Sequence, residues 1–93
     1  MLSKLYGIIY DRKEKPREGS YTNQLLAAGY AKIAQKVGEE AVEVIIAAGK
    51  QGRQRVIEET ADLIYHLLVL LVDQEIEFSE VEAELEKRHA GSK

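Results

Sequence analysis

The sequence predicts an all-α fold, a bundle of four to five helices whose core is completed by a second copy of the chain. Three observations carry this. Apolar residues recur at helical spacing, and no stretch shows the sustained period-two alternation of a half-buried strand. Pro16 is the only proline, so little interrupts a helix. The run from Leu63 to Val72, broken only by His66, is apolar nearly all the way round, which a surface helix would not tolerate. A chain of 93 residues has room for one domain, spanning 1–93, and its core is thin. Three or four helices from one such chain cover the 63–72 run poorly. A homodimer with this segment near its centre is therefore expected.

The elements follow in order. Leu2, Leu5, Ile8 and Ile9 open a first helix that dissolves into the charged run Asp11–Lys15, and Pro16 and Gly19 mark an exposed connection. Ser20 has the character of an N-cap for a segment that runs through Leu25 and Leu26. Gly29 leaves two options, a short helix followed by a long one or a single helix with a weak point, because one glycine costs only about 1 kcal/mol inside a helix. The long segment stops at Gly49-Lys50-Gln51-Gly52, where glycine supplies the cap. A further helix covers about Arg53 to Gln74. Ser79 with Glu82 three residues on reads as a capping box for the last helix, and Lys87, Arg88 and His89 suit its C-terminus. Short connections imply antiparallel neighbours.

Composition removes several classes of function. There is no cysteine, which excludes thiolate catalysis and disulfides and is compatible with a reducing cytoplasm. Thirteen basic against sixteen acidic residues leave a net charge of -3, unlike a general nucleic-acid binder. No signal peptide is visible at the start, and the longest apolar run is far short of the about 20 residues of a membrane span. A soluble, cytoplasmic protein with no membrane partner is the expectation.

Two acidic clusters stand out, Lys36-Val37-Gly38-Glu39-Glu40-Ala41-Val42-Glu43 and Glu58-Glu59-Thr60-Ala61-Asp62. At about 100° per residue, Lys36, Glu40 and Glu43 share one helical stripe, with Glu39 on its edge. Glu59, Asp62 and His66 form a matching stripe on the next helix. Val37, Val44 and Ile45 on one helix and Ile57, Ile64 and Leu68 on the other supply apolar faces for packing the two together. Two carboxylates about 4 Å apart repel by about 4 kcal/mol at an effective dielectric near 20. A divalent cation removes that cost, and magnesium, which takes a few carboxylates and leaves room for water and phosphate oxygens, suits such a cluster. A plain solvated face remains the alternative, as does a simple Lys36–Glu40 ion pair.

These residues also carry a resemblance. Lys36-x-Gly38-Glu39-Glu40-x-x-Glu43 followed by Glu59-x-x-Asp62 resembles the paired signature of the MazG-like all-α nucleoside triphosphate pyrophosphohydrolases. Three further stretches narrow it: Ser20-Tyr21-Thr22-x-x-Leu25-Leu26, Ala61-Asp62-Leu63-x-Tyr65-His66-Leu67-Leu68 and the terminal Glu86-x-Arg88-His89. With them the chain resembles the phosphoribosyl-ATP pyrophosphatase family over essentially its whole length.

The resemblance implies a MazG-like homodimeric bundle, magnesium dependence with manganese as a substitute, and release of pyrophosphate from phosphoribosyl-ATP to leave phosphoribosyl-AMP. It implies Glu40, Glu43, Glu59 and Asp62 as metal ligands, with Glu39 as a further ligand or the base that orients water. Lys36 either touches phosphate or pairs with the carboxylate stripe. Ser20, Tyr21 and Thr22 either hold the ribosyl phosphate at a helix N-terminus or form an ordinary cap. Lys50, Arg53 and Arg55 offer basic charge near the hairpin, and Arg88 is either a substrate contact or a helix-end cation. His66 either meets the substrate or is a buried, hydrogen-bonded histidine. A cyclohydrolase domain of the next step, to which this activity is fused in some organisms, is not expected in this chain. Two other readings stay open: a house-cleaning pyrophosphohydrolase of free nucleotides, and a helical dimerisation module without activity.

Overall fold

A computed structural model describes residues 1–90. Its order is α1 (Leu2–Glu14), α2 (Tyr21–Ala28), α3 (Tyr30–Lys50), α4 (Arg53–Asp73) and α5 (Phe78–His89), with no strand among the described residues. α3 and α4, 21 residues each, form a helical hairpin across the turn at Gln51-Gly52 and make the largest contact in the molecule. α4 is the central element, touching α1 and α2 as well. α5 packs on α1.

The core gathers Tyr6 and Ile9 of α1, Leu25 of α2, Ile33 of α3 and Leu68, Val69 and Val72 of α4. One part of the apolar run is therefore buried within the chain itself. The rest faces elsewhere. Ile64, Leu67, Leu70 and Leu71 line an apolar cleft of about 270 Å³ with Leu2 and Phe78, and Leu67 is 40% exposed.

The packing seam of the hairpin differs from the expected one. Ile45 and Ile57 are 71% and 49% exposed, so neither lies between the helices. Fully buried Ile33 and Ala47 occupy α3's share of the interior, and Ala47 is small enough for the helices to approach near their turn. The three shorter helices do not cover both sides of the hairpin, and the side carrying Val42, Ile45, Ile46 and Ile57 is left open.

Three boundaries are settled by local chemistry. α1 does not end at Asp11: the charged residues Arg12, Lys13 and Glu14 are good helix formers, and Lys15 N closes on Asp11 O at 2.7 Å. Gly29 divides α2 from α3, with φ 92° and ψ -174°, a conformation essentially confined to glycine. α5 begins at Phe78, before Ser79. Glu75 takes a left-handed φ of 59°, while its N–H reaches Val72 O at 3.1 Å and that of Ile76 reaches Leu71 O at 3.0 Å, which ends α4 in a Schellman motif. Glu77 then caps α5 in a capping box with Glu80, whose carboxylate accepts from Glu77 N at 2.9 Å. The Tyr6 hydroxyl donates to Ile76 O at 2.8 Å and ties this corner to α1.

Gly7 and Gly29 separate backbone from space, because a Cβ at either would meet nothing within 4 Å. Gly29→Ala is expected to lower stability by roughly 1–2 kcal/mol through backbone strain alone. Gly7→Ala, in the interior of α1 at ordinary helical φ, should raise it by about 0.5–1 kcal/mol. Urea unfolding of both variants checks the pair, and equal signs would contradict it.

Candidate metal centre and active site

The hairpin brings the two acidic stripes face to face. Carboxylate oxygens of Glu40, Glu59 and Asp62 all lie within 4.8 Å of one another. Glu59 is buried at 7% exposure, Glu40 is half-buried and Asp62 is open to solvent, so the cluster runs from the interior out to water. Neighbouring oxygens bound at about 2.1 Å to one octahedral magnesium ion sit about 3.0 Å apart, so the three side chains would have to draw closer together to share an ion. Three hard oxygen donors with an open side are the donor chemistry such an ion requires. Glu43, on the same stripe of α3, is not in this trio. It lines an open groove of about 510 Å³ along α3 with Glu39, Gln35 and Val42.

The charge balance shows how tightly the acids are held. Burial pushes the Glu40 carboxyl up, and its hydrogen bond with Glu59 and the negative charges of Asp62 and Glu59 push it further, against the pull of Lys36. Two cations flank the cluster. Lys36 Nζ lies 3.4 Å from Glu39 and 3.6 Å from Glu40. Burial lowers the Lys36 ammonium, but its hydrogen bond to Glu39 and the charges around it outweigh that and leave it raised. Arg55 donates to Glu58 and Glu59, three and four residues further along the same helix. Glu39 is held below the usual carboxylate range by hydrogen bonds from Gln35 and Lys36. It is therefore ionised at neutral pH.

α2 supplies the remaining wall. Ser20 is its N-cap, with Oγ accepting from Asn23 N at 3.2 Å. The Tyr21 hydroxyl meets His66 Nε2 at 2.9 Å, and Thr22 Oγ1 is hydrogen-bonded to the Tyr65 hydroxyl. His66 is buried at 5% exposure, and its Nδ1 lies 2.7 Å from the Asp62 carbonyl. Of the two readings of His66, the structure has the buried, hydrogen-bonded one. The Tyr21 phenol is raised, first by burial; it also feels Lys36, Tyr65, Glu40 and Asp62, which places it beside the cluster.

Lys50 and Arg53 lie exposed at the hairpin turn, and Arg88, on α5, pairs with Glu84 at 2.9 Å while staying 70% exposed on its side chain. None of the three meets the carboxylate trio through an ion pair among the described residues. Arg55, expected only as basic charge near the hairpin, pairs with Glu59 of the trio, and Tyr65, which the sequence offers within a motif but without a role, is bonded to Thr22.

The raised Glu40 carboxyl has a consequence for stability. An acid whose folded pKa lies above its unfolded value near 4.3 contributes fully below that value and loses its contribution as pH rises through the folded one. Metal-free protein should therefore be less stable at pH 8 than the trio's removal would allow. Glu40→Gln is expected to raise the Tm at pH 8 in chelator and to change it little at pH 4. Equal shifts at both pH values would contradict this.

The comparisons with known proteins agree with the geometry. The family model described as phosphoribosyl-ATP pyrophosphohydrolase matches residues 2–89. A phosphoribosyl-ATP pyrophosphatase of Listeria welshimeri is 56% identical over 88 residues, covering 95% of this chain and 84% of the relative. One from Clostridium acetobutylicum is 52% identical, covering 96% and 81%. One from Metallosphaera sedula is 53% identical and covers 95% of each chain. Identity at this level over nearly the whole chain leaves one conclusion: the chain belongs to the phosphoribosyl-ATP pyrophosphohydrolase family.

Proposed function

We propose that this protein hydrolyses phosphoribosyl-ATP to phosphoribosyl-AMP and pyrophosphate, the second step of histidine biosynthesis. The observation that carries the reading is the convergence of Glu40, Glu59 and Asp62 across the hairpin, in a chain of this family. Those three, with Glu43 as a fourth after a side-chain rotation, would hold magnesium, or manganese in its place. The ion, when bound, neutralises phosphoryl charge and acidifies water.

The chain's own residues do the rest. Lys36, beside Glu40, adds a positive charge at the edge of the trio and draws the polyphosphate toward it. Glu39, ionised and exposed, takes the proton from the attacking water. Water adds its oxygen at the anhydride between the α- and β-phosphates, the P–O bond to the leaving group breaks, and pyrophosphate departs. No covalent nucleophile is needed. The N-terminal turn of α2, at Ser20, Tyr21 and Thr22, holds the ribosyl phosphate, since Ser20 caps only the Asn23 amide and the preceding N–H groups point out of the helix. Lys50, Arg53 and Arg88 add long-range attraction for the polyanion.

The open apolar side of the hairpin goes with a second copy of the chain. Val42, Ile45, Ile46 and Ile57 form an exposed apolar strip that a homodimer would bury. No helix among the described residues is long and apolar enough to cross a membrane, and we place the protein in the cytoplasm with its nucleotide substrate.

Incubation with phosphoribosyl-ATP and magnesium should release pyrophosphate, and chelator should stop it. Absence of release rejects the reading, and preferential turnover of dUTP or dCTP would favour a house-cleaning role. Glu59→Gln should lower kcat/KM by about 100-fold or more and weaken manganese binding measured by calorimetry. For the dimer, sedimentation should give twice the chain mass, and Ile45→Glu should shift the protein to monomer. A parent that sediments as a monomer contradicts it.

A further inference from the structure

We infer that Tyr21 and His66 are positioning residues: their hydrogen bond is a strut that fixes the N-terminal turn of α2 relative to Asp62, and neither the Tyr21 hydroxyl nor the buried His66 ring binds the substrate.

The hydrogen bonds of His66 leave nothing free. The Asp62 carbonyl at 2.7 Å can only accept, so of the two tautomers the one with hydrogen on Nδ1 fits. In that tautomer Nε2 accepts from the Tyr21 hydroxyl at 2.9 Å. Both nitrogens are satisfied inside a ring that is 5% exposed, and the one Tyr21 O–H is spent on it.

A second rung lies directly beside the first. Thr22 is bonded to Tyr65, so consecutive residues of α2 are tied to consecutive residues of α4. The Tyr21 ring also stacks on Tyr65 at 6.3 Å and meets His66 edge-on at 5.8 Å. Two adjacent rungs fix an orientation as well as a distance.

α2 needs such a tether. It has only eight residues, too few to be stable alone, and the glycine bend at φ 92° separates it from α3. On α4 the strut lands one turn beyond Asp62, the outermost member of the trio. If α2 grips the ribosyl phosphate, an assignment that rests on the proposed function, the strut sets the distance between that grip and the reacting phosphates. Misplacement would then be felt in the transition state more than in binding.

The test is a double-mutant cycle with Tyr21→Phe, His66→Phe and the pair together. Amide exchange over Tyr21–Ala28, read by mass spectrometry, needs no substrate. Loss of the shared Tyr21–His66 hydrogen bond should speed it about fivefold in each single variant and still about fivefold in the double. In kinetics, kcat should fall about fivefold to tenfold in all three while KM stays within about twofold. Unchanged exchange, a multiplied effect of about 25-fold in the double, or a raised KM at constant kcat would overturn the strut. Should His66→Phe fail to fold, Thr22→Val and Tyr65→Phe run the same cycle on the second rung. A parent that releases no pyrophosphate rejects the proposed activity, while the exchange cycle still decides the strut.

Discussion

Like charges crowded across one helical hairpin set the terms for the rest of this molecule. Two carboxylates about 4 Å apart repel by about 4 kcal/mol at an effective dielectric near 20, and by less where one of them, as Asp62 does here, faces solvent. Two cations answer part of that repulsion, each from its own helix: Lys36 along α3 to Glu39 and Glu40, Arg55 along α4 to Glu58 and Glu59. Asp62 has no such partner among the described ion pairs and faces solvent. The negative charge therefore remains unbalanced on one side, the side from which a divalent ion and a polyphosphate would arrive. Compensation on the flanks and a deficit at the mouth is the arrangement a cation site needs.

The hairpin can bear this load because its rigidity does not depend on the acids. Helices of 21 residues carry their own backbone hydrogen bonds, and their seam is held by Ile33, Ala47 and the α4 core residues Leu68, Val69 and Val72. The smaller helices serve this pair. α1 supplies Tyr6 and Ile9 to the core, its Tyr6 hydroxyl anchors the turn into α5, and α2 adds Leu25 beside the wall of the site. Side chains mounted on long helices keep their positions better than side chains on loops, which suits a site whose donors must stay within a few tenths of an ångström.

The fold class and the acidic face were legible because helical spacing carries both. Apolar recurrence announces the helices, and the same 100° step aligns Glu40 with Lys36 and Asp62 with Glu59. Which acids meet across the hairpin was not legible, since it depends on the depth and rotation of packing; Glu40 enters the trio and Glu43, nearly on the same stripe, lies along the outer groove. Boundaries failed where unusual residues did the capping. Glu75 takes the left-handed position that glycine commonly fills, and Glu77 caps α5 where serine two residues on offers the conventional signal. The burial of Ile45 and Ile57 was misjudged for a simpler reason. Periodicity shows that a face is apolar, not what covers it.

That last point explains why the acids and the uncovered apolar residues sit on the same two helices. α3 faces α4, the open acidic side and whatever lies beyond Val42, Ile45 and Ile46, three directions from one cylinder. A single chain of this length covers one of them. On the proposed function the acidic direction stays open for substrate, which leaves the apolar strip through Ile45 and Ile46 as the direction for a second copy. On this argument the thin core of a 93-residue chain and its openness at the carboxylates are one constraint, met by the same hairpin.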